Sequence, residues 1–204
     1  MVALLQKFRE DEEGISLTEA LLVTPIVLLV FTTFIEFGFA VFQWNQAAKA
    51  TQHGARMLAV SDPLLNDMSG FTSDYPAEQG GPVPATARSF SCGAGTVACD
   101  TTEMQRLITG SDASCTFVSG TKLGMCDIFP RISANSVLIT YYRSGLGYVG
   151  RPDGPVLSIT VELRNLNFEF LFLGRFLPVS VLTIPAHPVT ITSEDMSSCK
   201  NECT

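Results

Sequence analysis

Residues 20–44 read ALLVTPIVLLVFTTFIEFGFAVFQW. No Lys or Arg occurs between Arg9 and Lys49, and from Ala20 to Ala48 the one ionisable residue is Glu36. The hydrocarbon core of a bilayer, about 30 Å thick, is crossed by about 20 mostly apolar residues in helical form. Ala20 to Phe42 supplies that length. A helix packed on a soluble core would carry a polar stripe at the 3.6-residue period, whereas this run has none before Gln43. The stretch therefore predicts a membrane-inserted helix, and the rest of the chain is read around it.

The whole chain agrees with an amphiphilic protein. Its 204 residues include 13 Lys+Arg and 20 Asp+Glu, a formal net charge of −7, and only 16% are charged. Soluble domains average about 25%. An acidic chain without a basic stripe is a poor match for tracking phosphates, so nucleic acid is not an expected partner. The length suits one modest domain plus an appendage.

Downstream of the run, Ala47, Ala50, Ala55, Leu58 and Ala59 recur at three- and four-residue spacing against Gln46, Lys49, Gln52, His53 and Arg56. That is an amphipathic continuation of the same helix. Asp62-Pro63 stops it, because proline disfavours helical geometry in the residue before it. One helix over residues 15–60 would be about 70 Å long at 1.5 Å per residue, more than a bilayer needs, so it projects beyond the membrane. Arg56 reads most simply as a solvated charge on this continuation.

Residues 61–135 are rich in Gly, Pro, Ser, Thr and Cys and predict irregular structure with one short helix near Thr102 to Ile108. From residue 136 to 204 the pattern turns to strands: SVLITYYR alternates, and Leu157, Ile159, Val161 and Leu163 share one face of VLSITVELRNL. FEFLFLGRF and PVTITSED read as further strands or an apolar joining segment. The fold class is α+β: a long N-terminal membrane helix, then a small antiparallel β-sheet head with a disulfide-rich irregular segment.

Six cysteines, Cys92, Cys99, Cys115, Cys126, Cys199 and Cys203, all follow the helix. Zinc sites favour closely paired cysteines with matching His or Cys partners. Only Cys199 and Cys203 approach such spacing, and His53 and His187 lie beside no matching cluster, so no metal is expected. An even set of disulfides in an oxidising compartment is the better reading. Neighbours pairing in order (92 with 99, 115 with 126, 199 with 203) is the simplest of the connectivities that six cysteines allow.

Gly145-Leu-Gly147-Tyr-Val-Gly150 matches a dinucleotide-binding fingerprint in letters only. Such a site needs a helix N-terminus facing the pyrophosphate, and Arg151-Pro152-Asp153-Gly154-Pro155 follows instead. With two histidines and no nucleophile or metalloprotease motif, the chain does not read as an enzyme, and neither a cofactor nor a small-molecule substrate is expected.

The join between leader and helix is more informative. Gly14 precedes Ile15, and Glu19 stands five residues in from the junction when Ile15 is counted as the first. A lone carboxylate in lipid costs about 2.5 kcal/mol or more, so it wants a partner. Cleavage after Gly14 would create one, an α-ammonium at Ile15 charged below a pKa of about 8. One helix does not readily fold its own amine back to Glu19, but a neighbouring subunit's amine can meet it in a bundle. The plainer alternative is an acid complementing the helix macrodipole. Pro25 frees the Leu21 carbonyl, either as a hinge for leaving the membrane or as a tolerated membrane proline. Glu36, about 25 Å beyond Glu19 at the helical rise, either nears the outer interface or pairs with another subunit.

Taken together these residues resemble type IV pilin-like precursors and, more narrowly, the TadE-like pseudopilins of the tight-adherence pilus system. The resemblance rests on the acid-rich junction ending in Gly14, on Glu19, on Leu22-Val-Thr-Pro25, on Ile35-Glu36-Phe37-Gly38 and on Gly54-Ala55-Arg56, over about residues 8 to 60. Residues 1–14, with two basic and four acidic side chains, would be the leader, more acidic than such leaders usually are. The resemblance implies cleavage between Gly14 and Ile15 by a membrane prepilin peptidase. It implies partners among other pilin or pseudopilin subunits and the inner-membrane assembly platform. It implies a single pass through the bacterial inner membrane, the head in the periplasm, or incorporation into an extracellular pilus. A second reading is a periplasmic binding domain, tethered by an uncleaved anchor or secreted after a cut at Ala48-Lys49-Ala50.

Overall fold

The structure is a computed structural model describing residues 13–95, 97–152, 154–172, 174, 182–185, 187–193 and 196, with side chains of the first helix described from Thr18 onward. Helix α1 spans Glu13–Ala59, without a break at Pro25. Short helices α2 (Ser69–Thr72), α3 (Thr101–Thr109) and α4 (Met125–Ile128) follow, with a 3-10 turn at Ala134–Ser136. Strands β1 (Arg88–Gly93), β2 (Val137–Arg143), β3 (Ser158–Leu163) and β4 (Val189–Thr192) form one antiparallel sheet in sequence order. The chain forms two compact units: Met1–Phe42 with Glu169–Val181, and Gln43–Phe168 with Leu182–Thr204.

The second unit is the head. Its core gathers Ala47, Ala50, Ala55 and Leu58 from the second half of α1 with Leu64, Phe71, Met104, Leu107 and the inward residues of the sheet. The spacing read from the sequence thus packs as expected. In β3, Ile159, Val161 and Leu163 are buried while Ser158, Thr160 and Glu162 are half-buried. Strand β2 lies between β1 and β3 and is buried at Val137, Leu138, Ile139, Tyr141 and Arg143. Hydroxyl pairs tie the other face across strands, Ser91 with Thr140 and Thr160 with Thr190, each at 2.8 Å.

Residues 61–135 differ from the irregular segment the sequence suggested. They supply β1, which the Ser- and Gly-containing RSFSCG concealed, and helix α3, close to where it was expected. Asp100 caps α3 by accepting the N–H groups of Thr102 and Glu103 at 2.9 and 3.0 Å. Leu64, Phe71, Met104, Leu107, Met125 and Phe129 make this segment part of the same core as the strands. Two disulfides hold it, Cys92–Cys99 and Cys115–Cys126. Cys199 and Cys203 lie outside the described residues. The glycine-rich stretch joins β2 to β3, with Gly145, Gly147 and Gly150 at positive φ, a conformation that glycine adopts without penalty. FEFLFLGRF contributes no strand among its described residues.

Tyr141 couples the segment that follows α1 to the sheet. Its buried hydroxyl accepts the Leu64 N–H at 3.0 Å, and burial pushes the phenol up to about 12. Tyr141→Phe keeps the ring but leaves a buried donor without its acceptor. We expect a loss of about 1–3 kcal/mol, read as a lowered urea midpoint.

Candidate functional site

The candidate site is the surface of α1 from Thr18 to Phe42. An eighteen-residue window of this helix has a mean hydropathy of 2.2, and 6% of it is buried. Leu22 is 71% exposed and Phe34 70%, and Leu21, Ile26, Leu28, Leu29 and Phe31 are similarly bare. Among the described residues nothing covers this sleeve. Three of its hydroxyls are satisfied within the helix: those of Thr24, Thr32 and Thr33 donate to the carbonyls of Ala20, Leu28 and Leu29 at 2.7, 2.7 and 2.9 Å. Internal satisfaction is what a segment in lipid requires.

Gly14 and Ile15 both lie within the helical backbone of α1. Glu19 is exposed on the helix and makes no hydrogen bond or ion pair with any described residue. Pro25 has no N–H to offer the Leu21 carbonyl, yet the helix runs on through it. Glu36 is different: its side chain is 2% exposed. One carboxylate oxygen accepts the Leu171 N–H at 2.9 Å and the other accepts the Phe172 N–H. A partner for Glu36 thus exists within its own chain, in the FEFLFLGRF stretch that had no assigned role.

Two glycines of the helix sit in opposite surroundings. A Cβ at Gly54 would come within 2.5 Å of the Met125 sulfur, so the head core itself wants a small residue there. A Cβ at Gly38 would meet nothing within 4 Å. Ala55 is fully buried and Arg56 exposed, as the amphipathic reading has them. The run ends at Gln43, buried in the head and accepting a hydrogen bond from Arg131 at 2.9 Å. His53 donates Nε2–H to the Leu123 carbonyl at 2.9 Å. His53 belongs to the polar face of the amphipathic continuation, and this contact joins that face to the segment before α4.

Residues 14–56 match the model of the TadE-like protein family. In this segment the chain is similar to TadE-like proteins. The TadE-like segment contains Gly14, Ile15, Glu19, Pro25, Glu36 and Gly38, so the exposed sleeve and the family match coincide. The match covers residues 14–56 of the 204-residue chain. No curated protein and no solved structure matches the chain. Away from the TadE-like segment, the head has a cleft of about 570 Å³ beside the Cys92–Cys99 loop, lined by Val97, Met104, Ile108 and Asn135 among others. Its described lining includes no ionisable side chain. Among the described residues no group of three or more His, Cys, Asp or Glu could hold a metal.

Proposed function

We propose that the chain is a minor pilin-like subunit of a Tad pilus assembly system, cleaved between Gly14 and Ile15 by a prepilin peptidase and assembling through α1. The observation that carries this reading is the bare apolar sleeve of α1, headed by Glu19 and matched to the TadE-like family. An all-round apolar helix is equally at home among lipid tails and among other apolar helices. Passing from one to the other exposes no apolar surface to water. Assembly is then an exchange of neighbours. The open space at Gly38 supports close helix approach, since small residues let backbones meet in membranes. In this scheme the head stands in the periplasm and the partners are other pilin-like subunits and the membrane assembly platform.

The carboxylate of Glu19 would pair with the Ile15 ammonium of a neighbouring subunit. Removing it makes insertion easier, because a charge in lipid is costly, and makes assembly worse. Glu19→Ala should leave the membrane-extracted amount unchanged while lowering cross-linking to other pilin-like subunits about tenfold or more, as losing a hydrogen bond to a charged group would. Incorporation at the wild-type level would remove the pairing from the account.

The secreted alternative meets a specific obstacle. A cut after Ala50 would fall inside the continuous helix, between two buried residues, and would strip Ala47 and Ala50 from the head core.

A further inference from the structure

Glu36 is buried, and its two oxygens each hold one backbone N–H of residues 171 and 172. This fixes the depth of those residues. Glu36 stands six residues before the end of the apolar run at Phe42, about 9 Å at the helical rise. Helix side chains lean toward the N-terminus, so the carboxylate points deeper still. The two residues it holds are therefore level with Phe34, Ile35 and Phe37, which are themselves exposed and apolar: Phe37 is 69% and Ile35 53% exposed. Leu171 is 51% and Phe172 49% exposed beside them.

From this geometry we propose that the tip at residues 171–172 is a second membrane-embedded element, which inserts Leu171 and Phe172 among the outer acyl chains next to α1. The proposal rests on α1 lying in the bilayer. The occupant of the patch is lipid because the patch continues the lipid-facing sleeve at the same level. The chemistry is self-consistent. Loop amides entering hydrocarbon need acceptors inside the protein, and a carboxylate there needs donors. Glu36 and the tip supply each other. Glu36 is thus a positioning residue that docks the loop, and the tip gives the chain a second hold at the outer leaflet.

The test uses the full chain reconstituted at low density in phosphatidylethanolamine/phosphatidylglycerol vesicles doped with phosphatidylcholine brominated high on its acyl chains. Trp44 is the sole tryptophan, so a Trp44→Phe background carries either Phe37→Trp or Phe172→Trp. Quenching of both indole probes by the shallow bromines is expected. Adding Glu36→Ala to the Phe172→Trp variant should shift the loop toward its released state by about tenfold or more, the loss of hydrogen bonds to a charged acceptor. The Phe37→Trp probe should stay quenched with Glu36→Ala, showing that the helix remains seated. Quenching of Phe37→Trp alone would overturn the embedded tip and leave the membrane helix standing. Quenching of neither would overturn both. A Phe172→Trp probe shielded from aqueous acrylamide but untouched by bromine would put a second copy of the chain on the patch, against the proposal. Undiminished quenching of Phe172→Trp with Glu36→Ala would overturn the docking role.

Discussion

Replacing Cys92, Cys99, Cys115 and Cys126 together by alanine is expected to abolish cooperative unfolding of the head. The two disulfides close short loops, with sequence separations of 7 and 11. Constraint of the unfolded chain gives about 2.5–3 kcal/mol for each loop of this size. Together that is about 5 kcal/mol, the lower end of the total stability of a domain. Cys92 and Cys126 are fully buried in the core that also holds Met104 and Met125, so alanine adds voids to the lost constraint. Near-UV circular dichroism of the full chain in detergent, followed against urea, reads the effect. Each single pair removed should cost about 2.5–3 kcal/mol, and the fourfold variant should show no sigmoidal transition. A fourfold variant that unfolds at the wild-type midpoint would show that the cross-links contribute nothing. Dependence on disulfides also fits a head on the oxidising side of a membrane.

The second large effect is expected at Arg143. This guanidinium is fully buried at the end of β2. It donates to the Asp74 carboxylate, with Nη2 at 2.8 Å, and to the carbonyls of Phe71 and Thr86. One side chain thereby fastens both the α2 segment and the approach to β1 onto the sheet. Arg143→Met preserves much of the bulk and removes every donor. The stranded carbonyls alone put the loss at about 3 kcal/mol. The pair also has a pH signature. Hydrogen bonding from Arg143 holds the Asp74 carboxyl well below the usual carboxylate range, against the opposing effect of burial. A carboxyl depressed in the folded state stabilises fully above its unfolded pKa of about 3.9, and that contribution fades as pH falls toward the folded value. The difference in urea midpoint between wild type and Arg143→Met should therefore be constant near neutrality and shrink below about pH 4. Taking the difference cancels the other carboxylates. A gap unchanged down to pH 2 would separate Asp74 from the effect of Arg143.

What could be read from residues alone divides along a physical line. Helix α1 was legible because the absence of charge over a bilayer's length is a local property. The alternation of Leu157 to Leu163 fixed β3 for the same reason, and Ala47 to Ala59 marked the face that packs on the head. Strand β1 escaped because its Ser and Gly residues carry little strand preference, and its existence depends on pairing with β2, some fifty residues away in register at Cys92 and Ile139. Residues 61–135 looked irregular because their buried side chains are widely spaced and meet only in three dimensions. The same holds at the site. Glu36 was visible as an anomaly, while its donors lie 135 and 136 residues away. The one clue was that FEFLFLGRF is too apolar for an ordinary surface loop. Arg143 looked like the polar end of a strand, and Asp74, 69 residues distant, gave no sign of being its partner.

In the proposed function α1 is freed at Ile15 and trades lipid for sibling helices. Mass spectrometry of the membrane-extracted chain reads this directly, since it reports the first residue of the mature protein. A chain that starts at Ile15, with every residue up to Gly14 gone, is the expected result. A chain still carrying the residues before Gly14, or one starting at Thr51, would contradict it.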